Sequence, residues 1–240
     1  MPLPKCSRCG NEMAVIEGEP AFCLVCPVRP FSNRRKKEKK AMRKERSKMH
    51  HTPDDLESAA PIEGPVCLHV GCGSETKMPS MFDGYKQVRL DLDPSCNPDV
   101  VDDISRLEKV ADGSVAAIYS SHNLEHLNLY DCEQAILNWK RVLKPDGRIV
   151  VLVPDFEWAC KQVVEGNLFR KAYDSPAGPI MVHDMIFGWA RVTRSTDSGF
   201  MAHKMGFTRE SLEALFARHG FQCSVSRADF NLIAMARKFT

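Results

Sequence analysis

At 240 residues the chain is long enough for one full α/β domain and a small appendage. With 43% hydrophobic and 27% charged residues it lies outside the composition of a wholly disordered or fibrous protein. Net charge is only +2, yet the charge is unevenly spread. No apolar run approaches the roughly 20 residues that span a bilayer, and the opening MPLPKCSRCG has no apolar centre of a signal peptide. A cytoplasmic location is therefore expected, with the ten cysteines serving as thiols or metal ligands rather than as a disulfide framework.

The first segment, 1–31, carries Cys6 and Cys9, then Cys23 and Cys26. Two residues between thiolates let both sulfurs reach one ion from a tight turn, so two such knuckles can close a tetrahedral Zn2+ site. Val15, Ile16, Phe22 and Leu24 are most of the apolar area available there, so the ion would supply the folding free energy. Four thiolates leave no open position, which makes the expected zinc structural; a thiol-exchange pair is the minor alternative.

A linker over 32–61 follows. Arg34 to Lys48 holds ten basic residues against Glu38 and Glu45, about +8, and leaves the remainder of the chain acidic. Such density suits RNA or another polyanion through counterion release. A solvated tether between two modules accounts for it equally well.

From Ile62 onward strand and helix patterns alternate, as a parallel sheet requires. Strands are expected over 66–70, 87–92, 99–102, 114–120 and 148–154. An abbreviated helix is expected over 104–110. An amphipathic one over 131–143 should face the sheet with Ile136, Leu137, Trp139, Val142 and Leu143. Lys144-Pro145-Asp146-Gly147 reads as the turn that ends it. A helix over 156–165 follows. A last helix over 208–219 opens on a Thr cap, without a full capping box because Ser211 stands at the third position. Strands over 221–227 and 230–237 close the chain as an antiparallel hairpin around Ala228-Asp229. The connection 167–206 is long and rich in Gly, His, Arg and aromatics, as lids and substrate platforms are.

The chemistry-bearing stretch is Val66 to Asp93: an apolar strand, the turn Gly71-Cys72-Gly73, and a second strand ending on carboxylates. Glycines where backbone must approach a ligand, with an acid on the next strand tip, describe a nucleoside pocket on a parallel sheet. Asp91 and Asp93 share that tip, and one of the two is expected only to initiate the turn at Pro94.

Five ordered motifs carry a resemblance. They are VGCG at Val70 to Gly73, DLDP at Asp91 to Pro94 and DDISRL at Asp102 to Leu107. DGSVAAIYSSHNLEHL at Asp112 to Leu127 and RVLKPDGRIVVLVPD at Arg141 to Asp155 complete the set. In this order they resemble class I S-adenosylmethionine-dependent methyltransferases, of the type 11-like branch with a short glycine motif, over Pro65 to Lys238. The resemblance implies a Rossmann-like, doubly wound, mostly parallel α/β sheet with a C-terminal antiparallel hairpin over 62–240, beside the small zinc module. It implies that Gly71, Cys72 and Gly73 meet the methionine part of the cofactor, that Asp91 and Leu92 meet the ribose, and that Asp103 and Ile104 line the adenine. Ser120 and Ser121 would sit beside the sulfonium, with His122 as the leading candidate base.

Three departures stand out. His69 occupies the usual acid position, Glu75 occupies the third glycine position, and Pro79 interrupts the short stretch before the second strand, so the first helix should be a stub or absent. Other candidate bases are Glu125, His126, Asp155, His183, Asp184 and His203; Glu125 and His126 suit a helix-start pair. The absence of an Asn/Asp-Pro-Pro-aromatic stretch after the fourth strand argues against amino methylation of nucleobases. The lack of Pro-Cys or Thr-Cys argues against methylation of pyrimidine ring carbons. Three functions remain open: a methyltransferase whose zinc module and basic arm recruit RNA, one acting on a small metabolite or sugar, and a cofactor-binding adaptor.

Overall fold

The chain divides into two units, Met1–Pro61 and Ile62–Thr240. The computed structural model describes residues 64–175, 178–189 and 200–238. Cys6, Cys9, Cys23 and Cys26 and the basic run 34–48 lie outside the described residues.

Nine strands and four α-helices make up the described part of the second unit. In chain order they are β1 (Val66–Val70), β2 (Lys86–Asp91), β3 (Val100–Val101), β4 (Val115–Ser121), α1 (Leu129–Val142), β5 (Leu143–Pro154), α2 (Phe156–Val164), β6 (Lys171–Ser175), β7 (Gly178–Met181), α3 (Val182–Phe187), α4 (Arg209–Arg218), β8 (Phe221–Ala228) and β9 (Asn231–Lys238). Seven of the strands form one sheet in the order β3-β2-β1-β4-β5-β9-β8. The pairs from β3 to β5 are parallel, whereas β9 runs antiparallel to both β5 and β8. The expected mostly parallel sheet with a C-terminal antiparallel hairpin is present. Among the described residues, no helix is long and apolar enough to cross a membrane.

Side-chain alternation explains how the central strands are covered. Leu68, Val70, Ile118, Ile149, Val151 and Val153 meet α1 and α4 through Ile136, Trp139, Leu212, Leu215 and Phe216. On the opposite face Cys67, Ala117, Tyr119 and Val150 are covered by Phe82, with Met78 and Tyr85 beside it. A first helix would normally do this work. Here the chain makes only a single 3-10 turn over Ser80–Phe82, entered at Pro79, the stub that was expected. The Arg148 guanidinium lies 5.4 and 5.1 Å from the Phe82 and Tyr85 ring centres and donates to the Met81 carbonyl, fastening the stub to β5.

Several local expectations are corrected. Residues 104–110 form turns rather than a helix. Side chains supply the hydrogen bonds that a helix would have made internally: Arg141 donates to the carbonyls of Arg106, Leu107 and Val110, and Trp139 Nε1 to that of Ile104. Leu137 is exposed, while Ile136, Trp139, Val142 and Leu143 are buried as expected. The stretch 144–147 belongs to an irregular start of β5, where Val115 pairs with Leu143 and Ala117 with Arg148. Thr208 and Ser211 do form a reciprocal cap on α4, because the Ser211 hydroxyl reaches back to the Thr208 N–H at 2.9 Å. The last hairpin turns at Asp229-Phe230, one residue later than expected, with Asp229 in the left-handed region.

The connection 167–206 contains structure of its own. The hairpin β6–β7 and the short α3 pack Val182 and Met185 against Ala159 and Trp158 of α2, and Tyr173 stacks on Phe230 at 5.3 Å.

Candidate active site at the carboxyl ends of the parallel strands

The strand order places the topological switch point between β1 and β4, whose crossovers leave toward opposite edges of the sheet; ligands of open α/β sheets bind there. The turn after β1 has both glycines in the left-handed region, Gly71 at φ +59° and Gly73 at φ +51°. A Cβ on Gly71 would lie 1.9 Å from Asn123 Oδ1, whereas one on Gly73 would meet nothing within 4 Å. The turn is therefore closed at its first glycine by the protein and open at its second.

The carboxylate of Asp91, at the tip of β2, holds this turn in shape. Its Oδ2 accepts the Gly73 N–H at 2.7 Å and its Oδ1 accepts the Asp93 N–H at 2.9 Å, with a further lone pair left on each oxygen. Asp93 does the other job foreseen at this tip, accepting from the Ser95 N–H and hydroxyl to cap the 3-10 turn Pro94–Cys96. Arg89, which sequence reasoning passed over, fans its guanidinium across four carbonyls, those of Gly73, Glu75, Cys96 and Asn97. It ties the glycine turn to the loop after β2. Cys72 is buried, with its N–H donated to the Leu90 carbonyl, and Leu92 is exposed next to Asp91.

His69 does not line this turn. Its Nδ1 accepts from the Gln87 amide at 2.9 Å and its ring packs 4.9 Å from that of Tyr119. Burial, aided by the Arg89 charge against a smaller opposing pull from Asp91, brings its pKa down to about 4, so it is a neutral core residue.

On the far side of β2, Asp102 is buried and accepts the Asp103 and Lys109 N–H groups. Asp103 accepts from Ser105 through Oδ1, and its Oδ2 takes no hydrogen bond from the described residues. Ile104 adjoins it, its carbonyl fixed by Trp139. A groove of about 570 Å3 lies outside this region on the flank of α1, lined by Arg106, Tyr130, Gln134, Asn138 and others. It shares no residue with the strand ends.

Ser120 is fully buried at the end of β4, and Ser121 is half-buried. His122 turns the chain with φ +55°, and its N–H donates to the Leu152 carbonyl. The next residue, Asn123, was also missed by sequence reasoning. Its Nδ2 donates to the Val70 carbonyl at 3.0 Å and the Ser121 carbonyl at 2.9 Å, spanning the ends of β1 and β4.

Glu125 and His126 lie on the 3-10 turn Leu124–His126, ahead of α1 rather than at its start, and Asn128 caps that helix. His122 Nδ1 is 3.2 Å from Glu125 Oε1, which leaves its Nε2 for another partner. Burial disfavours the charged form of His122, but the Glu125 hydrogen bond and charge outweigh it and raise the pKa. Glu125 is 1% exposed. Burial opposes its charge too; the His122 hydrogen bond, with the fields of His122, His126 and His203, outweighs that and lowers its pKa. Of the other candidate bases, Asp155 is spent on capping α2 and pairing with Arg227 Nε at 2.8 Å, and His183 stacks on Phe169. Asp184 caps α3 through the Met181 N–H.

Residues 68–151 match the protein family described as Methyltransferase domain. No curated protein matches the chain significantly. Among solved structures, it is similar to an S-adenosylmethionine-dependent methyltransferase of Methanosarcina mazei, at 16% identity and a TM-score of 0.51, over 80% of this chain and 99% of that one. It is similar also to a protein of Pyrococcus horikoshii, at 14% identity and a TM-score of 0.50, over 81% and 91% of the two chains. A third likeness is to a chain of the complex that holds the Haloferax volcanii Trm112 methyltransferase activator, at 14% identity and a TM-score of 0.51, over 85% and 95%. Identities this low speak for the fold, and the family match speaks for the segment that builds the glycine turn, the Asp91 tip and β4. Residues 68–151 thus match a methyltransferase-domain family, and the chain has the Rossmann-like methyltransferase fold around them.

Proposed function

We propose that the domain binds S-adenosylmethionine at the carboxyl ends of β1, β2 and β4 and transfers its methyl group to an acceptor held beyond β4. The observation that carries this is the glycine turn braced by Asp91, open at Gly73 and bordered by Asp103 on one side and Ser120–His122 on the other. The residues fit the cofactor chemically. Gly73 offers backbone with open space above it, Asp91 keeps unused lone pairs for two ribose hydroxyls, and Asp103 Oδ2 offers an acceptor for an exocyclic amine. When bound, the cofactor supplies an electrophilic methyl on a sulfonium, so the protein's own work is alignment, exclusion of water and removal of any acceptor proton.

His122 is the group we assign to that proton. Glu125 holds its Nδ1 and favours the protonated ring, so Nε2 is both oriented and basic. Of the two residues that favoured a cofactor-binding adaptor, His69 and Glu75, the first is a buried side chain occupied by Gln87 and Tyr119. The four-cysteine segment is proposed to hold structural Zn2+, and the basic run 34–48 to bring the domain to RNA or a comparable polyanion; the support is the spacing and charge of the sequence.

Calorimetry with S-adenosylhomocysteine tests the core of this reading. Asp91→Ala removes charge-assisted hydrogen bonds worth roughly 1.5–3 kcal/mol each, so affinity should fall at least about tenfold. No binding by the wild type at millimolar ligand refutes the proposal. Tritiated-methyl transfer into separated RNA, protein and small-molecule pools then identifies the acceptor class.

A further inference from the structure

Glu125 Oε2 is a buried carboxylate oxygen with no hydrogen-bond partner among the described residues. A buried carboxylate oxygen left unpaired is costly, so a partner for it is expected. Glu125, His126 and His203 each bring one ligand-type atom within 4.8 Å of the others. The two imidazoles sit edge to face, with ring centres 4.9 Å apart.

Their tautomers follow from their neighbours. His126 Nδ1 is 3.3 Å from the Ala202 carbonyl and His203 Nδ1 is 3.0 Å from the Met185 carbonyl. Carbonyls only accept, so each Nδ1 carries the proton and each Nε2 keeps its lone pair. A histidine whose other nitrogen donates to a backbone carbonyl is the arrangement that metal-ligating histidines adopt. The backbone is set as well: the Glu125 carbonyl accepts the N–H groups of Lys204 and Met205 at 2.7 and 3.1 Å, and the His203 N–H donates to the Phe187 carbonyl. These bonds fix His203, 77 positions further along the chain than His126, against the 3-10 turn.

We infer that Glu125, His126 and His203 form a binding site for a single divalent transition-metal ion, of the Mn2+, Fe2+, Co2+ or Zn2+ class. Two imidazoles and one carboxylate occupy one side of such an ion and leave positions open, which is the pattern of a working site rather than a closed structural one. His126 and His203 are only half-buried, so the ion is reachable from outside, while Glu125 supplies a buried negative charge. The four-cysteine segment is a different donor set, and the two sites differ in every ligand.

The role follows from position, and it rests on the methyl-transfer reading above. The site lies on the turn Leu124–His126, which begins immediately after Asn123, the residue whose side chain lies against Gly71. A nitrogen acceptor would give the ion the lone pair that it needs for attack. A hydroxyl oxygen keeps further pairs after coordination, and its proton becomes easier to remove. The site therefore selects a hydroxyl as methyl acceptor.

The test uses the full chain, stripped of metal and titrated with Mn2+, with the free-ion electron paramagnetic resonance signal as readout, and in parallel with Co2+ followed by its visible absorption. One ion should bind without sulfur-to-cobalt charge transfer, and it should persist in Cys6→Ser/Cys23→Ser. Glu125→Gln and His203→Gln, checked for wild-type circular dichroism, should weaken Mn2+ at least about tenfold. Anomalous scattering from wild-type crystals grown with Mn2+ should place a peak among the three side chains, a readout that needs no variant to fold. Absence of that peak, or folded variants that bind Mn2+ like the wild type, overturns the inference. S-adenosylhomocysteine binding without sulfur-independent metal binding overturns this site and leaves the methyltransferase reading standing. Metal binding without S-adenosylhomocysteine binding supports the site and refutes the reading on which its role rests.

Discussion

Gly71→Ala tests whether the end of β1 is built as described. The added methyl would stand 1.9 Å from Asn123 Oδ1 and 2.3 Å from its Cγ, well inside contact distance. Asn123 cannot simply swing aside, because its amide holds the Val70 and Ser121 carbonyls at 3.0 and 2.9 Å. Giving up those two bonds is worth about 0.5–1.5 kcal/mol each, and placing a non-glycine at φ +59° adds roughly 1–2 kcal/mol. The sum, about 2–5 kcal/mol, is a large part of the roughly 5–15 kcal/mol that holds an ordinary domain together. Gly73→Ala has a similar φ but nothing within 4 Å, so only the backbone contribution of about 1–2 kcal/mol should appear. Urea unfolding followed by circular dichroism measures both. In an Asn123→Gly background the clash is gone, and Gly71→Ala should then fall to the Gly73→Ala value, a coupling of at least about 1 kcal/mol. Equal losses for the two glycines, or no coupling with Asn123, would show that this packing is wrong.

His69 has a folded pKa of about 4 against 6.5 unfolded, so its contribution is complete above pH 6.5 and is lost as pH falls toward 4. About 3 kcal/mol should disappear over that window, and His69→Phe should abolish the dependence; an unchanged acid profile refutes it. Asp155 acts as cap and ion-pair partner, so Asp155→Asn, which keeps the cap acceptor, should be more stable than Asp155→Ala by about 1–2 kcal/mol in thermal unfolding. Equal melting would assign the residue elsewhere. Trp139→Phe leaves the Ile104 carbonyl unpaired and opens a small void in a fully buried position, at about 2–3 kcal/mol. Hydrogen exchange should speed up first at residues 104–110, and uniform protection there would contradict the stapling role.

What was legible in the sequence followed from local signals. Apolar runs bounded by turn residues located β1, β4 and the body of β5, because strands buried on both faces have no alternative reading. Gly71, Gly73 and Asp91 were legible because a close backbone approach and an acidic strand tip both constrain residue type. What was missed depended on partners distant in sequence. Residues 104–110 carry a helical apolar spacing, but Arg141 and Trp139 satisfy their carbonyls better from α1 than a short helix would from within. Arg89 and Asn123 are ordinary polar residues until folding places four carbonyls around one and two strand ends beside the other. The grouping of Glu125, His126 and His203 had half a local signal, the adjacent pair, and no signal for its third member. His69 was flagged for occupying an acid's place, yet Gln87 and Tyr119 account for it as core.

Asn123 is fastened on both sides of the crevice. Its side chain lies against Gly71 and holds Val70, while its carbonyl accepts the His126 N–H at 3.0 Å. A ligand that shifted the glycine turn would press on Asn123, whose carbonyl holds the turn that carries His126. The two halves of the crevice are then thermodynamically linked, so whatever factor an occupant on the β1 side imposes on affinity at Glu125 and His126 is returned to it in equal measure.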